Sequence, residues 1–429
     1  MIPDSLISST IRDITRRYLS FDSSPTDVRL STPSTPDPVL LYLHIPFCVV
    51  LCPFCSFHRV EFKRDRTETY FRALRQEILR ATDAGFHFGE LYIGGGTPTV
   101  MPEELVETVK LVRELHPVRR MSTEANPDDL DDERLLPLRD AGVNRLSVGV
   151  QSFDDALLQE MRRLETFGSG ALAAERLKRI RGTFETLNVD MIFNLPHQTE
   201  RSLRRDLDIL TREIAVDQVS FYPVMTAGSA RQAMRPAMGV VDYNREKSLY
   251  QVIVRHMRNA GYLRSSVWCF SRDGNMIDEY TARQNEYLGL GSGAFSYLDG
   301  GIYAGTFSID HYLHLIDSGR MGVVGRRSLT RLDQMRCFLL MRMFGGSLNL
   351  DAAERQFGGR FGQTLRAELT GLRLLGAITQ GNGNLYLTDR GYYLWVMMMR
   401  EFFSGINNIH DRMRYDFSQE ARMPQAGHS

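Results

Sequence analysis

From about residue 39 the chain alternates between two rhythms of apolar positions. Short runs such as VLLYLHI, ELYIGG, STEAN, NRLSVGVQ, VDMIFNLP and QVSFYPV have the length and composition of buried strands. Stretches with helical spacing lie between them. In 67–84, Tyr70, Leu74, Ile78 and Leu79 recur at helical intervals, and PEELVETVKLVREL carries the same signature. Strands separated by amphipathic helices predict a parallel sheet with helices packed outside it. Six such units fit within 39–225, so the expected fold is α/β, a partial (β/α)6 barrel of the TIM type rather than a closed eightfold one.

Beyond the barrel the rhythm changes. Residues 226–330 are mixed, with a helix expected over 244–260 and a Gly-rich run, EYLGLGSGAFSYLDGG. From 331, RLDQMRCFLLMRM and 363–375 read as helices, and AITQGNGNLYLTDRGYYL reads as a hairpin with a Gly-Asn turn leading into a last helix. Helices followed by a hairpin predict a winged-helix-like accessory domain. The expected boundaries are an N-terminal arm at 1–38, a core with its linking segment at 39–330, the accessory domain at 331–414 and a loose tail at 415–429.

Composition narrows the function classes. The 429 residues carry 52 Lys+Arg against 52 Asp+Glu. A net charge of zero argues against a nucleic-acid partner, and the winged-helix-like unit has no conspicuously basic helix, so a substrate lid is its expected role. No run approaches the ~20 apolar residues of a membrane span. The polar start MIPDSLISSTIRD is unlike a signal peptide, so a cytoplasmic location is expected.

Five cysteines are too few and too oddly numbered for a disulfide framework. Cys48, Cys52 and Cys55 form a CxxxCxxC motif, while Cys269 and Cys337 stand alone and read as packed core residues. Three thiolates on one short loop can hold three irons of a [4Fe–4S] cluster and leave the fourth open to a chelating ligand. Zinc is the competing reading, with His44 or His58 as a fourth ligand.

Around these cysteines lies an ordered series of motifs: YLHIPFCVVLCPFCSF, GGGTPT at 94–99, the strand-end Glu124, GVQSF at 149–153, VDMIFNLPHQT at 189–199 and LGLGSGAFSY at 288–297. In this series the chain resembles the radical S-adenosylmethionine (SAM) superfamily. Within it, the chain is similar to the oxygen-independent coproporphyrinogen III oxidase-like, or HemN-like, family from about 39 to 400. The resemblance implies a [4Fe–4S] cluster on Cys48, Cys52 and Cys55 and two SAM molecules. Tyr42, Gly95, Glu124 and Phe295 match positions around the cluster-bound SAM. Phe54, Gly96, Thr97, Gln151, Arg163, Asp190 and Pro223 match positions around the second. Read alone, Arg163 could belong to a solvated helical face and Pro223 to a turn, whereas polar Gln151 and Asp190 at strand ends require partners.

The resemblance leaves four activities to weigh: methyl transfer to an sp² carbon, decarboxylation of coproporphyrinogen, haem degradation, and haem binding and insertion. Ser56 and Phe57 after the third cysteine, Phe193-Asn194 in the 189–199 loop and the extended end GYYLWVMMMREFFSGINNIHDRMR favour a distinct subgroup, the radical SAM methyltransferases. The expected reaction is then methylation of the menaquinone ring at C8. Lipid quinone or tetrapyrrole is the expected substrate class and flavodoxin or ferredoxin the low-potential electron donor. The stripe of Trp395, Met397–Met399, Phe402, Phe403 and Ile406 would pack or admit a large apolar substrate, with transient peripheral contact at the inner face of the membrane.

Overall fold

The computed structural model describes residues 28, 30–31, 37–225, 228–274 and 286–420, with side chains to residue 408 except at 229, 230 and 233. Most of the expected N-terminal arm and the last residues of the expected tail therefore lie outside the described residues. Six strands run parallel in chain order: β1 (Val39–Ile45), β2 (Phe88–Gly95), β3 (Arg120–Ala125), β4 (Arg145–Gln151), β5 (Thr186–Phe193) and β6 (Gln218–Pro223). Each pairs with the next. Helices α1 (Arg64–Asp83), α2 (Pro102–Leu115), α3 (Asp132–Ala141), α4 (Gly170–Ile180) and α5 (Glu200–Asp208) return the chain between them.

After α6 (Glu246–Asn259) come the short strands β7 (Leu263–Arg264) and β8 (Cys269–Ser271); β8 pairs antiparallel to β6, and β7 pairs antiparallel to β8. The Gly-rich run then supplies a parallel strand that its glycines had disguised. β9 (Tyr287–Leu290) pairs alongside β1 and is followed by antiparallel β10 (Phe295–Leu298), β11 (Gly301–Gly305) and β12 (Val323–Ser328). The sheet stays open, with β7 at one end and β12 at the other.

The two faces of the barrel strands differ in chemistry. Leu41, Leu43 and Ile45 join the large core under the helices, whereas Leu40, Tyr42, Tyr92 and Ala294 form a separate inner cluster. On β3 to β6 the alternate positions are polar and bonded across strands. Arg145 Nη1 donates to Ser122 Oγ (2.7 Å), Asn188 Nδ2 to Ser147 Oγ (2.7 Å), and Ser147 Oγ to Asp190 Oδ2 (2.7 Å). Period-two alternation is what allows one strand to serve an oily outer layer and a polar interior.

Helix α1 does more than cover the sheet. Tyr70 and Glu77, two turns apart, share one face. Buried Glu77 accepts from Gly291 N–H (2.9 Å), Gly322 N–H (2.6 Å) and Tyr312 Oη (2.8 Å). Tyr70 Oη donates to His44 O (2.7 Å) and accepts from Ser292 N–H (2.8 Å). These bonds fix the end of β1 to the glycine turn after β9.

The C-terminal unit contains α7 (Arg331–Phe344), then β13 (Ser347–Asn349), the helices Leu350–Gln356 and Arg366–Leu374, β14 (Ile378–Gly381), β15 (Asn384–Leu387) and the long α8 (Asp389–Glu420). The hairpin turn centres on Asn382-Gly383, both at positive φ, so the turn pair is Asn-Gly rather than the expected Gly-Asn. Helix α8 continues to Glu420, beyond the expected start of the tail. Among the described residues no helix is long and apolar enough to cross a membrane.

A buried charge cluster joins α8 to the barrel. Arg400 lies 2.5 Å from Glu246 Oε1 and 3.0 Å from Glu401 Oε1, with its guanidinium over the Tyr243 ring. Removing one member leaves the other charge buried and uncompensated. Arg400→Met should therefore cost about 3–5 kcal/mol in denaturant unfolding. Arg400→Met with Glu246→Gln should recover much of that, and equal losses in the single and double variants would contradict the coupling.

Candidate functional site

The site is built at the C-terminal ends of the parallel strands. After β1, Phe47–Cys48 pairs with Val60–Glu61, so the cysteine loop leaves and returns at one place. Val60 N–H to Pro46 O (2.7 Å) and Phe62 N–H to Cys48 O (2.9 Å) close its base. Within it, Cys55 N–H bonds Cys52 O (3.2 Å), and Arg59 Nη2 donates to the carbonyls of Cys52 and Cys55. From the end of β2, Gly96 N–H reaches Ile45 O (2.7 Å) and Thr97 N–H reaches Phe47 O (2.8 Å). A Cβ on Gly96 would lie 2.7 Å from Phe47 O and 2.9 Å from Cys48 Sγ, so only glycine fits this approach.

Cys48 and Cys52 are buried and Cys55 is half-buried. Burial first, then the neighbouring Cys55, pushes the Cys48 thiol up to about 12. Thr97 Oγ1 stands 3.6 Å from Cys48 Sγ, and Arg163 Nη1 stands 3.5 Å from Cys52 Sγ. Among the described residues no three His, Cys, Asp or Glu side chains are close enough together to hold a metal ion as they stand. The donor chemistry on this loop is nonetheless three sulfurs, which suits an iron–sulfur cluster with one open iron.

The histidines do not complete a zinc set. His44 Nε2 faces His58 O (2.9 Å), which can only accept, so that nitrogen carries the proton and Nδ1 accepts from Tyr42 Oη (2.9 Å). Burial lowers His44 to about 4, so the ring is neutral. His58 is buried against it, with Nε2 turned to Ser292 Oγ (3.1 Å).

Several of the expected ligand positions are joined by one polar chain. Arg162 is exposed at a left-handed φ of 59°, and Arg163 is buried beside it. Arg163 Nη2 donates to Asn126 Oδ1 (3.0 Å) and to Gly149 O, while its guanidinium stacks over Phe167. Asn126 Nδ2 in turn donates to Thr97 Oγ1 (2.9 Å). The ends of β2, β3 and β4 are thus tied to two of the three cysteines, and Arg163 is no solvated surface residue.

The other expected residues occupy distinct places. Glu124 accepts from Tyr92 Oη (3.0 Å) and Gly95 N–H (3.2 Å). Asp190 belongs to the interior network of Ser147 and Asn188. Gln151 takes a left-handed φ of 74° at a register break opposite β5, a conformation held against its ordinary cost. Phe54 packs on a small apolar cluster that includes Leu157, Met161, Leu195 and Val224, and Pro223 is buried at the end of β6.

Beside β1 a cavity of about 1310 Å³ lies between the barrel edge and the C-terminal unit. Tyr42, His44, Tyr287 and Phe295 line the barrel wall, and Phe338, Met341, Phe357, Phe402, Phe403 and Ile406 line the other. Its volume exceeds the roughly 300–1,000 Å³ usual for small-molecule pockets. Part of the apolar stripe on α8 therefore faces a cavity. Cys337, expected in the core, is half-buried and lines the same space, with burial pushing its thiol up to about 11. Cys269 is fully buried.

Residues outside the sequence-based set also build the site. Arg59 clasps the cysteine loop and Asn126 bridges Thr97 to Arg163. Arg245 donates to the carbonyls of Leu195, Pro196 (2.8 Å) and Gln198 (2.8 Å) in the loop after β5. Only Asn126 had a local signal, the Asn-Pro-Asp-Asp capping pattern after a strand.

The Radical SAM superfamily profile matches residues 42–210. The haem chaperone HemW of Bacillus subtilis is 28% identical over 372 residues, covering 82% of this chain and 96% of the relative. An oxygen-independent coproporphyrinogen III oxidase of Bradyrhizobium diazoefficiens is 30% identical over 329 residues, covering 71% of this chain and 72% of the relative. Among solved structures, coproporphyrinogen III oxidase (HemN) of Escherichia coli superposes with a TM-score of 0.72 at 24% identity, covering 86% of this chain and 91% of that one. These findings overturn the expected menaquinone methyltransferase, and with it the lipid quinone. The similar proteins are named for haem and coproporphyrinogen, and the cues used for a methylating subgroup were loop-residue differences that do not specify a reaction.

Two outcomes follow from this geometry. Gly96→Ala should destabilise the fold by about 1–3 kcal/mol through overpacking and speed alkylation of Cys48, read by mass spectrometry; unchanged labelling would contradict the close approach. Asp206 is buried and accepts from Ser152 Oγ (2.8 Å) and Phe153 N–H (3.0 Å), and burial pushes its carboxyl up to about 7 from 3.8. The folded state then holds this proton more tightly than the unfolded chain, so the contribution is present at low pH and lost as pH rises through about 7. Asp206→Asn should flatten the stability profile between these values in urea titrations, and an unaltered slope would refute the assignment.

Proposed function

The chain belongs to the HemN-like branch of the radical SAM superfamily, and from that premise we propose that it binds a haem-type tetrapyrrole in the cavity beside β1 and hands it on. The cavity carries this reading: it is large, walled by aromatic and aliphatic side chains, and adjoins the strand ends that bear the cysteine loop. Near end-to-end correspondence with a haem chaperone supports it further. The superfamily's cofactors are a [4Fe–4S] cluster and SAM, which together supply one-electron reductive chemistry at the sulfonium when bound.

In this reading Cys48, Cys52 and Cys55 would hold the cluster. Tyr42, Gly95, Glu124 and Phe295 would hold one SAM. Phe54, Gly96, Thr97, Gln151, Arg163, Asp190 and Pro223 would surround a second. The chain's own contribution is positioning. Arg59 keeps the loop closed through its carbonyls, while Thr97 and Arg163 direct donors at sulfur, where negative charge would reside. Neutral His44 holds the Tyr42 hydroxyl. Val49, Leu51 and Phe57 are exposed on and just after the cysteine loop, an apolar contact for a low-potential donor protein of the ferredoxin or flavodoxin class.

A second reading, oxidation of coproporphyrinogen, is favoured by one observation. Tyr42 and Phe295, both in the expected SAM set, line the same cavity.

Anaerobic reconstitution with iron and sulfide separates the two. Replacing all three cysteines by Ser should abolish iron–sulfur absorbance; retention of the cluster would refute the ligand assignment. Wild type should take up haem stoichiometrically and transfer it to an apo-haemoprotein. Turnover of coproporphyrinogen with SAM and reductant, without haem retention, would replace the first reading by the second.

A further inference from the structure

The two walls of the cavity carry opposite charge. Asp37, Glu286 and Asp299 lie on the barrel side and Arg331, Arg342 and Arg355 on the C-terminal side. The face of α7 explains the second group. Arg331, Gln334, Phe338, Met341 and Arg342 follow helical spacing into the cavity, while Arg336, off that face, pairs with Glu368 at 2.7 Å. Arg331 is braced, donating to Gln334 Oε1 (3.2 Å) and Gln356 O (3.0 Å) with its guanidinium over the Phe357 ring. Arg342 lies over Phe338. Among the described residues Arg331 and Arg355 form no ion pair with a carboxylate. Planar cations held on aromatic faces are suited to bidentate capture of carboxylates, since little rotamer freedom remains to be lost.

We infer that the C-terminal unit reads the carboxylates of the cavity ligand through Arg331, Arg342 and Arg355, holding its carboxylate edge away from Tyr42, His44 and Phe295. This rests on the tetrapyrrole reading and adds an orientation to it. The apolar ring lies against Phe338, Met341 and Phe402, and the edge opposite the carboxylates faces the strand ends. A ligand so placed is gripped by its carboxylates rather than transformed at them.

The test is a spectrophotometric titration of the reconstituted full-length protein with haem and with haem dimethyl ester, which keeps the ring and removes both charges. The wild type should bind the free acid at least about tenfold more tightly, as loss of a charge-assisted hydrogen bond implies. Arg331→Gln/Arg342→Gln/Arg355→Gln should weaken the acid to the level of the ester and leave the ester unchanged. Because the triple variant could unfold, the single change at exposed Arg355 is titrated as well and should show a smaller loss confined to the acid. Equal affinity for acid and ester in the wild type overturns this inference and leaves tetrapyrrole binding intact. Failure of both compounds to bind overturns the tetrapyrrole reading, and the inference falls with it.

Discussion

The approach of Gly96 to Phe47 and Cys48 is the contact on which the rest of the site depends. A loop bearing three thiols has no conformational preference strong enough to stay put. Here it is held because the end of β2 comes within backbone hydrogen-bonding distance of the chain leaving β1. No side chain fits between them. Two pairs of backbone bonds then set the loop's base, and everything beyond it inherits that position.

Holding a loop at the end of a barrel buries carbonyls that no strand partner can satisfy. Three arginines meet this requirement in the same way: Arg59 in the cysteine loop, Arg163 across the ends of β3 and β4, and Arg245 in the loop after β5. Each spreads several donors over carbonyl and amide oxygens, work that a lysine's compact ammonium does less well. In Arg163 the same guanidinium also reaches a cysteine sulfur, so bracing and electrostatics coincide in one residue. The neutral total charge of the chain conceals this, because these cations are spent on local carbonyls and a sulfur rather than on a surface field.

The cavity depends on a different constraint. It exists because α7 and α8 stand off the β9–β11 edge while Arg400 anchors α8 to Glu246. Aromatic residues on α8 that would close an ordinary core instead form a wall. The Gly-rich run around 291–293 serves the same region from the barrel side, where Glu77 and Tyr70 secure its backbone.

The sequence by itself determined the layered architecture, because the periodicities of six strands and their helices are local and each segment declares its own face. It also determined the cysteine motif, since a spacing of thiols within eight residues needs no tertiary information. Chain folding decided what local pattern could not. β9 was hidden by its glycines, Arg163 and Arg162 look alike until the backbone turns between them, and Arg59 and Arg245 gain meaning only when distant carbonyls arrive. Cys337 reads as core by hydrophobicity and the α8 stripe as core or substrate surface; Trp395, Met397 and Met399 are core, whereas Cys337, Phe402, Phe403 and Ile406 line a cavity, because apolar character says that a side chain avoids water and not whether protein or ligand will cover it. The choice among reactions fared worst on loop residues alone, since a few side-chain differences carry no geometry. The shape and charge of the cavity, set by packing between units far apart in sequence, are what give the substrate question a physical form.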